Sequence, residues 1–210
     1  MILYIASTNP GKIKEFREAA QESGVTVEPL PGMRSLPACV EDGRTFEANA
    51  RKKALHYSRC VNGLLLADDS GISVDALGGA PGVYSARFAG PNATDQQNNQ
   101  LLLKRLREVQ ARASEQTLHP SPASRSAQYI CVIALAERGR ILTTTEGQGK
   151  GQILESPRGS GGFGYDPLFY FPPLGKTYAE LSPEAKFGVS HRGEAFRKLL
   201  GFLATHSKTK

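Results

Sequence analysis

The run Leu64-Leu65-Leu66-Ala67-Asp68-Asp69-Ser70-Gly71 constrains this chain more than any other segment. A short apolar stretch bounded by turn-forming residues reads as a buried strand. It stops abruptly at two adjacent carboxylates, a hydroxyl and a glycine. Open α/β folds place their ligand crevices at the ends of core strands, so the strand end is predicted to deliver Asp68 and Asp69 to the edge of a sheet. Carboxylates side by side repel unless a cation offsets them. A hard divalent ion such as Mg²⁺ takes oxygen ligands and fits that need. The alternative is a strand followed by an Asx turn, with both carboxylates solvated.

The surrounding pattern is that of one α/β domain over residues 1–210, a length compatible with two lobes around a cleft. Strands are predicted at 2–6 and 25–30. A helix is predicted at 12–23, with Ile13, Phe16 and Ala20 facing inward. Thr45 reads as an N-cap, with Glu47 in the first turn of a helix running to about Cys60. Thr94 starts another helix, striped by Leu101, Leu102, Leu106 and Val109. Residues 111–127 lose large apolar side chains and read as a mobile loop. Strands at 128–136 and 140–146 pair around Arg138-Gly139, 151–155 extend the sheet, and a helix from about Gly193 to Ala204 closes the pattern.

Bulk chemistry narrows the class. The three cysteines, Cys39, Cys60 and Cys131, are widely spaced with no Cys-x-x-Cys, which suggests neither a zinc site nor a disulfide framework. A reducing, cytoplasmic setting fits. No stretch is long and apolar enough to span a membrane, and Met1 to Ala6 reads as a first strand rather than a leader. The net charge of +6 suits an anionic, phosphate-rich ligand. The positive charge is scattered, however, and argues less for a nucleic acid polymer.

Four segments carry chemistry. Thr8-Asn9-Pro10-Gly11-Lys12 joins the first strand to the first helix, where backbone N–H groups and a lysine attract phosphate. It lacks P-loop spacing and also reads as ordinary turn chemistry. On the second helix Phe46, Ala50, Lys53 and Tyr57 share one face, so Lys53 must snorkel out or meet a buried anion. If that helix borders the acidic strand, Lys53 and Glu47 become candidates for triphosphate and metal, with Glu41 a further carboxylate just before it. Gly159-Ser160-Gly161-Gly162-Phe163-Gly164 matches the dinucleotide fingerprint. Tyr165-Asp166-Pro167 follows it, however, and opens no helix. The segment reads instead as a loop approaching a flat ligand, with Phe163 or Tyr165 as a stacking face, or as a turn cluster with Phe163 in the core. Ser190-His191-Arg192-Gly193 precedes the last helix and offers hydrogen-bond donors for a base edge; His191 alone also reads as a capping or core residue.

Taken in order, these segments resemble one family. The motifs are Ser7 to Lys12, Thr45 to Ala50, Ala67 to Gly71, Gly78 to Arg87, Gly161 to Pro167, Glu184-Ala185-Lys186 and Ser190 to Gly193. Together they resemble the inosine/xanthosine triphosphate pyrophosphatases over residues 2–203. The resemblance implies Mg²⁺-dependent hydrolysis of deaminated purine nucleoside triphosphates to monophosphate and pyrophosphate. It also implies an elongated mixed sheet with helices around it, two lobes flanking an active-site cleft, and a homodimer. Carried over by motif, Asp69 is the proton acceptor and a metal ligand, with Asp68 and Glu41 as further metal ligands. Ser7, Thr8, Asn9, Pro10, Gly11, Lys12, Lys53 and Ser70 contact substrate at the phosphates and nearby. Phe163, Gly164, Tyr165, Asp166, Lys186, His191 and Arg192 surround the base. A 6-oxo purine needs donors at O6, which an adenine amino group would leave unpaired. His191, Arg192 and backbone N–H groups near Tyr165 are the candidates. The rival readings are a pyrophosphatase for pyrimidine or modified nucleotides, a phosphatase releasing phosphate, and a non-enzymatic nucleic-acid-binding protein.

Overall fold

The computed structural model describes residues 1–21, 23–116 and 125–206. The described strands form one mixed, seven-stranded sheet in the order β2-β1-β3-β4-β5-β6-β7. They are β1 (Ile2–Ile5), β2 (Thr26–Pro29), β3 (Leu64–Val74), β4 (Ser126–Glu137), β5 (Arg140–Ile153), β6 (Phe169–Phe171) and β7 (Lys176–Thr177). The helices are α1 (Pro10–Ala20), α2 (Phe46–Tyr57), α3 (Asp95–Gln116), α4 (Pro183–Val189) and α5 (His191–His206). Two compact units divide the chain. The first holds 1–70, 130–148 and 187–210, the second 71–129 and 149–186.

In the first unit β1 pairs in parallel with both β2 and β3. Parallel strands need crossover connections, and helices supply them. Here α1 packs on one face of the sheet and α2 on the other, so the strands are buried on both sides. Leu3, Ile5 and Leu66 join Phe16, Phe196 and Leu199 in one core. Leu65 and Ala67 turn to the opposite core with Ala50, Ala54 and Tyr57. This explains the uninterrupted apolar run of residues 64–67. Chain order reverses at β1, and ligands of open α/β sheets bind outside the carboxyl ends of strands at such a point.

The first strand–turn–helix closes as its sequence dictates. Asn9 caps α1 by accepting from Lys12 N at 3.0 Å, and Pro10 occupies the first turn, where its missing N–H costs nothing. Thr45 caps α2 by accepting from Ala48 N at 3.1 Å. In the second unit Thr94 and Gln97 cap α3 reciprocally, each side chain accepting from the other's backbone N–H. An aromatic cluster of Tyr129, Phe169, Phe171 and Tyr178 gives that unit its core.

Two expectations are corrected. β3 does not stop at the carboxylates but continues to Val74. Its partner β1 ends opposite Leu66, so Asp68 and Asp69 emerge where the neighbouring strand runs out rather than where their own does. Ile72 and Val74 are buried and continue the strand past Gly71. The expected loop at 111–127 is also corrected at both ends: 111–116 continue α3 and 126–127 begin β4. Ala, Arg, Glu and Gln are adequate helix formers without large apolar groups. Residues 117–124 lie outside the described residues.

Candidate active site

In the first unit the two aspartates receive opposite kinds of partner. Asp68 is 1% exposed, and its Oδ2 accepts from Lys12 Nζ at 2.7 Å and from Ser70 Oγ at 3.2 Å. Arg192 Nε stands 3.9 Å from the same oxygen. Burial works to raise this carboxyl, but Lys12, Arg192 and Lys53 reverse the effect and hold it at about 2. Asp69 receives neutral donors instead. Its Oδ2 accepts from Asn49 Nδ2 at 3.0 Å and its Oδ1 from Ser70 N at 3.1 Å. Burial raises the Asp69 carboxyl, against the opposing pull of Lys53 and Asn49. A carboxylate raised in this way is suited to accept a proton.

Lys53 lies on the apolar face of α2, as the helical spacing predicts. It is 9% exposed, and its Nζ donates to the Asp68 carbonyl at 2.7 Å and pairs with Glu41 Oε2 at 2.9 Å. Burial pulls its ammonium toward neutrality, but Asp68, Glu41 and Asp69 together raise it and keep it charged. Arg192 opens α5, pairs with Glu15 of α1 and donates to Ser70 Oγ at 3.0 Å. His191 beside it is 2% exposed. Ser7 Oγ accepts from Asn9 N at 3.2 Å and orders the turn entering α1.

The second unit holds a separate set. Phe163, Gly164, Tyr165 and Asp166 form an irregular turn before β6, with no helix. Asp166 Oδ2 accepts from Phe163 N at 2.9 Å and from Lys186 Nζ at 2.5 Å. The Lys186 ammonium lies 4.8 Å from the Phe163 ring centroid, within cation–π range. Gly162 has φ +71°, and a Cβ there would come 2.1 Å from Asp166 Oδ2; only glycine permits this turn. Tyr165 is buried, and its hydroxyl donates to the Ser85 carbonyl at 2.8 Å. It is therefore a core residue, and Phe163 is the aromatic left to stack. The N–H groups of Phe163, Gly164 and Asp166 donate to Asp166 Oδ2, Asp95 Oδ2 and Phe163 O.

Among the described residues no three His, Cys, Asp or Glu side chains gather as a ready metal cage. Mg²⁺ uses one or two carboxylates together with substrate phosphates and water. The oxygens of Asp69, Glu41 and Asp68 are all of that donor type; in this structure Lys53 pairs with Glu41 at 2.9 Å and Lys12 with Asp68 at 2.7 Å.

Residues 3–202 match the pattern that defines the Ham1 family. The chain belongs to the Ham1 family. It is 47% identical to the dITP/XTP pyrophosphatase of Acidobacterium capsulatum, covering 97% of this chain and 98% of that protein. Among solved structures it is similar to a HAM1 protein from Coxiella burnetii, with a TM-score of 0.82 and 38% identity over 98% of this chain and 99% of the other. It is also similar to the Staphylococcus aureus Ham1 protein, with a TM-score of 0.80 and 36% identity over 98% of this chain and 100% of the other.

In this Ham1 chain the sequence-predicted residues fall into two sets. Ser7, Thr8, Asn9, Pro10, Gly11, Lys12, Glu41, Lys53, Asp68, Asp69, Ser70, His191 and Arg192 belong to the first unit. Phe163, Gly164, Tyr165, Asp166 and Lys186 belong to the second. Glu47 also lies in the first unit, where it is exposed and pairs with Arg51 one turn along α2. Asn49 and Glu15 were missing from the predicted set. Asn49 is held by Gly43, whose N–H donates to Asn49 Oδ1 at 2.7 Å. A Cβ at Gly43 would come 2.6 Å from that oxygen. A buried asparagine one turn before a buried lysine was the available signal.

Proposed function

We propose that this chain hydrolyses deaminated purine nucleoside triphosphates, those of inosine and xanthosine in ribo or deoxy form, to the monophosphate and pyrophosphate. The observation that carries the reading is the division of labour at the paired aspartates. Asp68 is tied to lysine and arginine, while Asp69, held by neutral donors and raised by burial, is free to take a proton. The Acidobacterium capsulatum relative, named a dITP/XTP pyrophosphatase, supports the same reading.

The step is a displacement at the α-phosphorus. A water oxygen bonds to that phosphorus, the bond from it to the α–β bridging oxygen breaks, and pyrophosphate departs with that oxygen. Asp69 orients the water and receives its proton. Lys12, Lys53 and the positive N-terminal end of α1 offset phosphate charge. When bound, Mg²⁺ would supply charge neutralisation for the phosphates and the leaving group. Asp69 and Glu41 would hold it, with Asp68 keeping Lys12 and Arg192 in place.

Phe163 stacks on the purine, with Lys186 and Asp166 fixing its ring. His191 and Arg192 supply donors that favour a 6-oxo group over a 6-amino group. Residues 1–210 act as a single nucleoside-triphosphate pyrophosphatase domain, the active species is a homodimer, and the setting is the cytoplasm. A parallel assay with ITP, XTP, GTP, ATP and dUTP tests the substrate class. Turnover of ITP and XTP with little of ATP supports the reading. Equal selectivity after His191→Ala and Arg192→Ala would remove those residues from base discrimination. Light scattering in solution reads the dimer, and a monomer at assay concentration refutes it.

A further inference from the structure

The start of α3 grips the loop that carries Phe163. Asp95, in the first turn of α3, accepts from Gly164 N through its Oδ2 at 2.7 Å. Asn99, one turn later, donates from Nδ2 to the Gly164 carbonyl at 3.0 Å. Both polar groups of one glycine are therefore held by side chains four residues apart on one helix face, the spacing at which helical neighbours align. All of these residues lie in the second unit.

The grip has a cost. Asn99 Oδ1 is buried with no hydrogen-bond partner among the described residues, and a buried oxygen left unsatisfied is unfavourable. The amide thus keeps its donor on Gly164 at the expense of its acceptor. Asn98 next to it fastens a second segment, accepting from Ala89 N at 2.9 Å and donating to Ala86 O at 3.3 Å. A cavity of about 480 Å³ adjoins the clamp, lined by Asn99, Leu103, Pro157, Phe163 and Leu168 among others. On the side of the cavity, the two hydrogen bonds to Gly164 add to the hold that the buried Tyr165 and the Asp166–Lys186 pair give the loop.

We infer that Asp95 and Asn99 are positioning residues for the base-binding loop, fixing Gly164 so that the Phe163 ring is pre-set for a purine. The inference rests on the proposed role of Phe163 in holding the base. Asp166 and Lys186 staple the loop from its own side, and α3 supplies the opposite staple. Preorganisation of this kind lowers the ordering cost of binding, so its loss appears in KM rather than in kcat. A helix-start carboxylate serving only the helix dipole would affect stability and leave KM unchanged.

The test uses Asp95→Ala, Asp95→Asn and Asn99→Ala in the full chain, with two readouts. Amide hydrogen exchange across 160–167 reads the clamp itself without substrate. Steady-state kinetics with ITP read its consequence. Asp95→Ala and Asn99→Ala should speed exchange in that segment and raise KM roughly tenfold, with kcat within about twofold. Asp95→Asn, which keeps an acceptor oxygen, should restore most of both. Unchanged exchange in the alanine variants overturns the clamp. Faster exchange with unchanged KM overturns the positioning role. Absence of ITP turnover by the unsubstituted protein defeats the functional reading instead, and exchange then decides the clamp alone.

Discussion

Asp68 and Asp69 are adjacent in the chain and opposite in chemistry. Lys12 Nζ reaches Asp68 at 2.7 Å, while Asn49 Nδ2 reaches Asp69 at 3.0 Å. Strand geometry turns successive side chains to opposite faces, so neighbours meet different partners: Lys12 of α1 bonds the Asp68 carboxylate and Arg192 of α5 lies beside it, while Asn49 of α2 bonds that of Asp69. One carboxyl is held down and the other raised without any difference in residue type. Environments that push two carboxyls apart are how acid–base roles are assigned.

Asp68 makes acid stability pH-dependent. Its folded value of about 2 lies below the ordinary carboxylate value, so the folded state favours the ionised form. That contribution, about 2 kcal/mol, is fully present above about pH 4 and is lost as pH falls through about 2. Denaturant unfolding of the metal-free protein at successive pH values should show the decline, and Asp68→Asn should flatten it. Equal slopes in the two proteins would contradict the pairing of Asp68 with its cations.

Lys53 should matter for binding substrate more than for the fold. Its partner Glu41 is one-third exposed and can be rehydrated when the ammonium is removed. Lys53→Ala should raise KM for ITP roughly tenfold or more. Lys53→Arg should rescue poorly, because a planar fork does not replace a compact ammonium in a buried slot. A KM unmoved by Lys53→Ala would take it out of the phosphate site.

The cysteines should differ sharply in reactivity. Cys131 is fully buried in the core, and burial with the nearby Asp68 pushes its thiol up to about 12. Cys60 is exposed. Since the thiolate is the nucleophile, iodoacetamide at pH 8 should alkylate Cys60 in the native protein and leave Cys131 untouched until unfolding. Mass-spectrometric mapping checks this; native labelling of Cys131 would contradict its burial.

What the sequence made legible was local. The Thr45 cap, the turn at Asn9-Pro10 and the placement of Lys53 on the inner face of α2 depend on neighbours within a turn or two, and each stands where periodicity put it. The reach of β3 past Gly71 was not legible. The paired aspartates break the apolar pattern there, and the buried Ile72 and Val74 resume it only afterwards. Asn49, Glu15, Asp95 and Asn99 escaped for another reason. Their partners lie 20, 177, 69 and 65 residues away, and no local spacing encodes such pairings. The grouping of Arg192 with Asp68 and Ser70, rather than with a base alone, belongs to the same class.

The most direct measurement is hydrolysis of ITP in water enriched in heavy oxygen, with Mg²⁺, beside Asp69→Asn. Label in the inosine monophosphate with unlabelled pyrophosphate, and a rate lowered roughly a hundredfold or more in the variant, is the expected result. Labelled inorganic phosphate, labelled pyrophosphate, or full activity in Asp69→Asn would contradict attack at the α-phosphorus with Asp69 as the base.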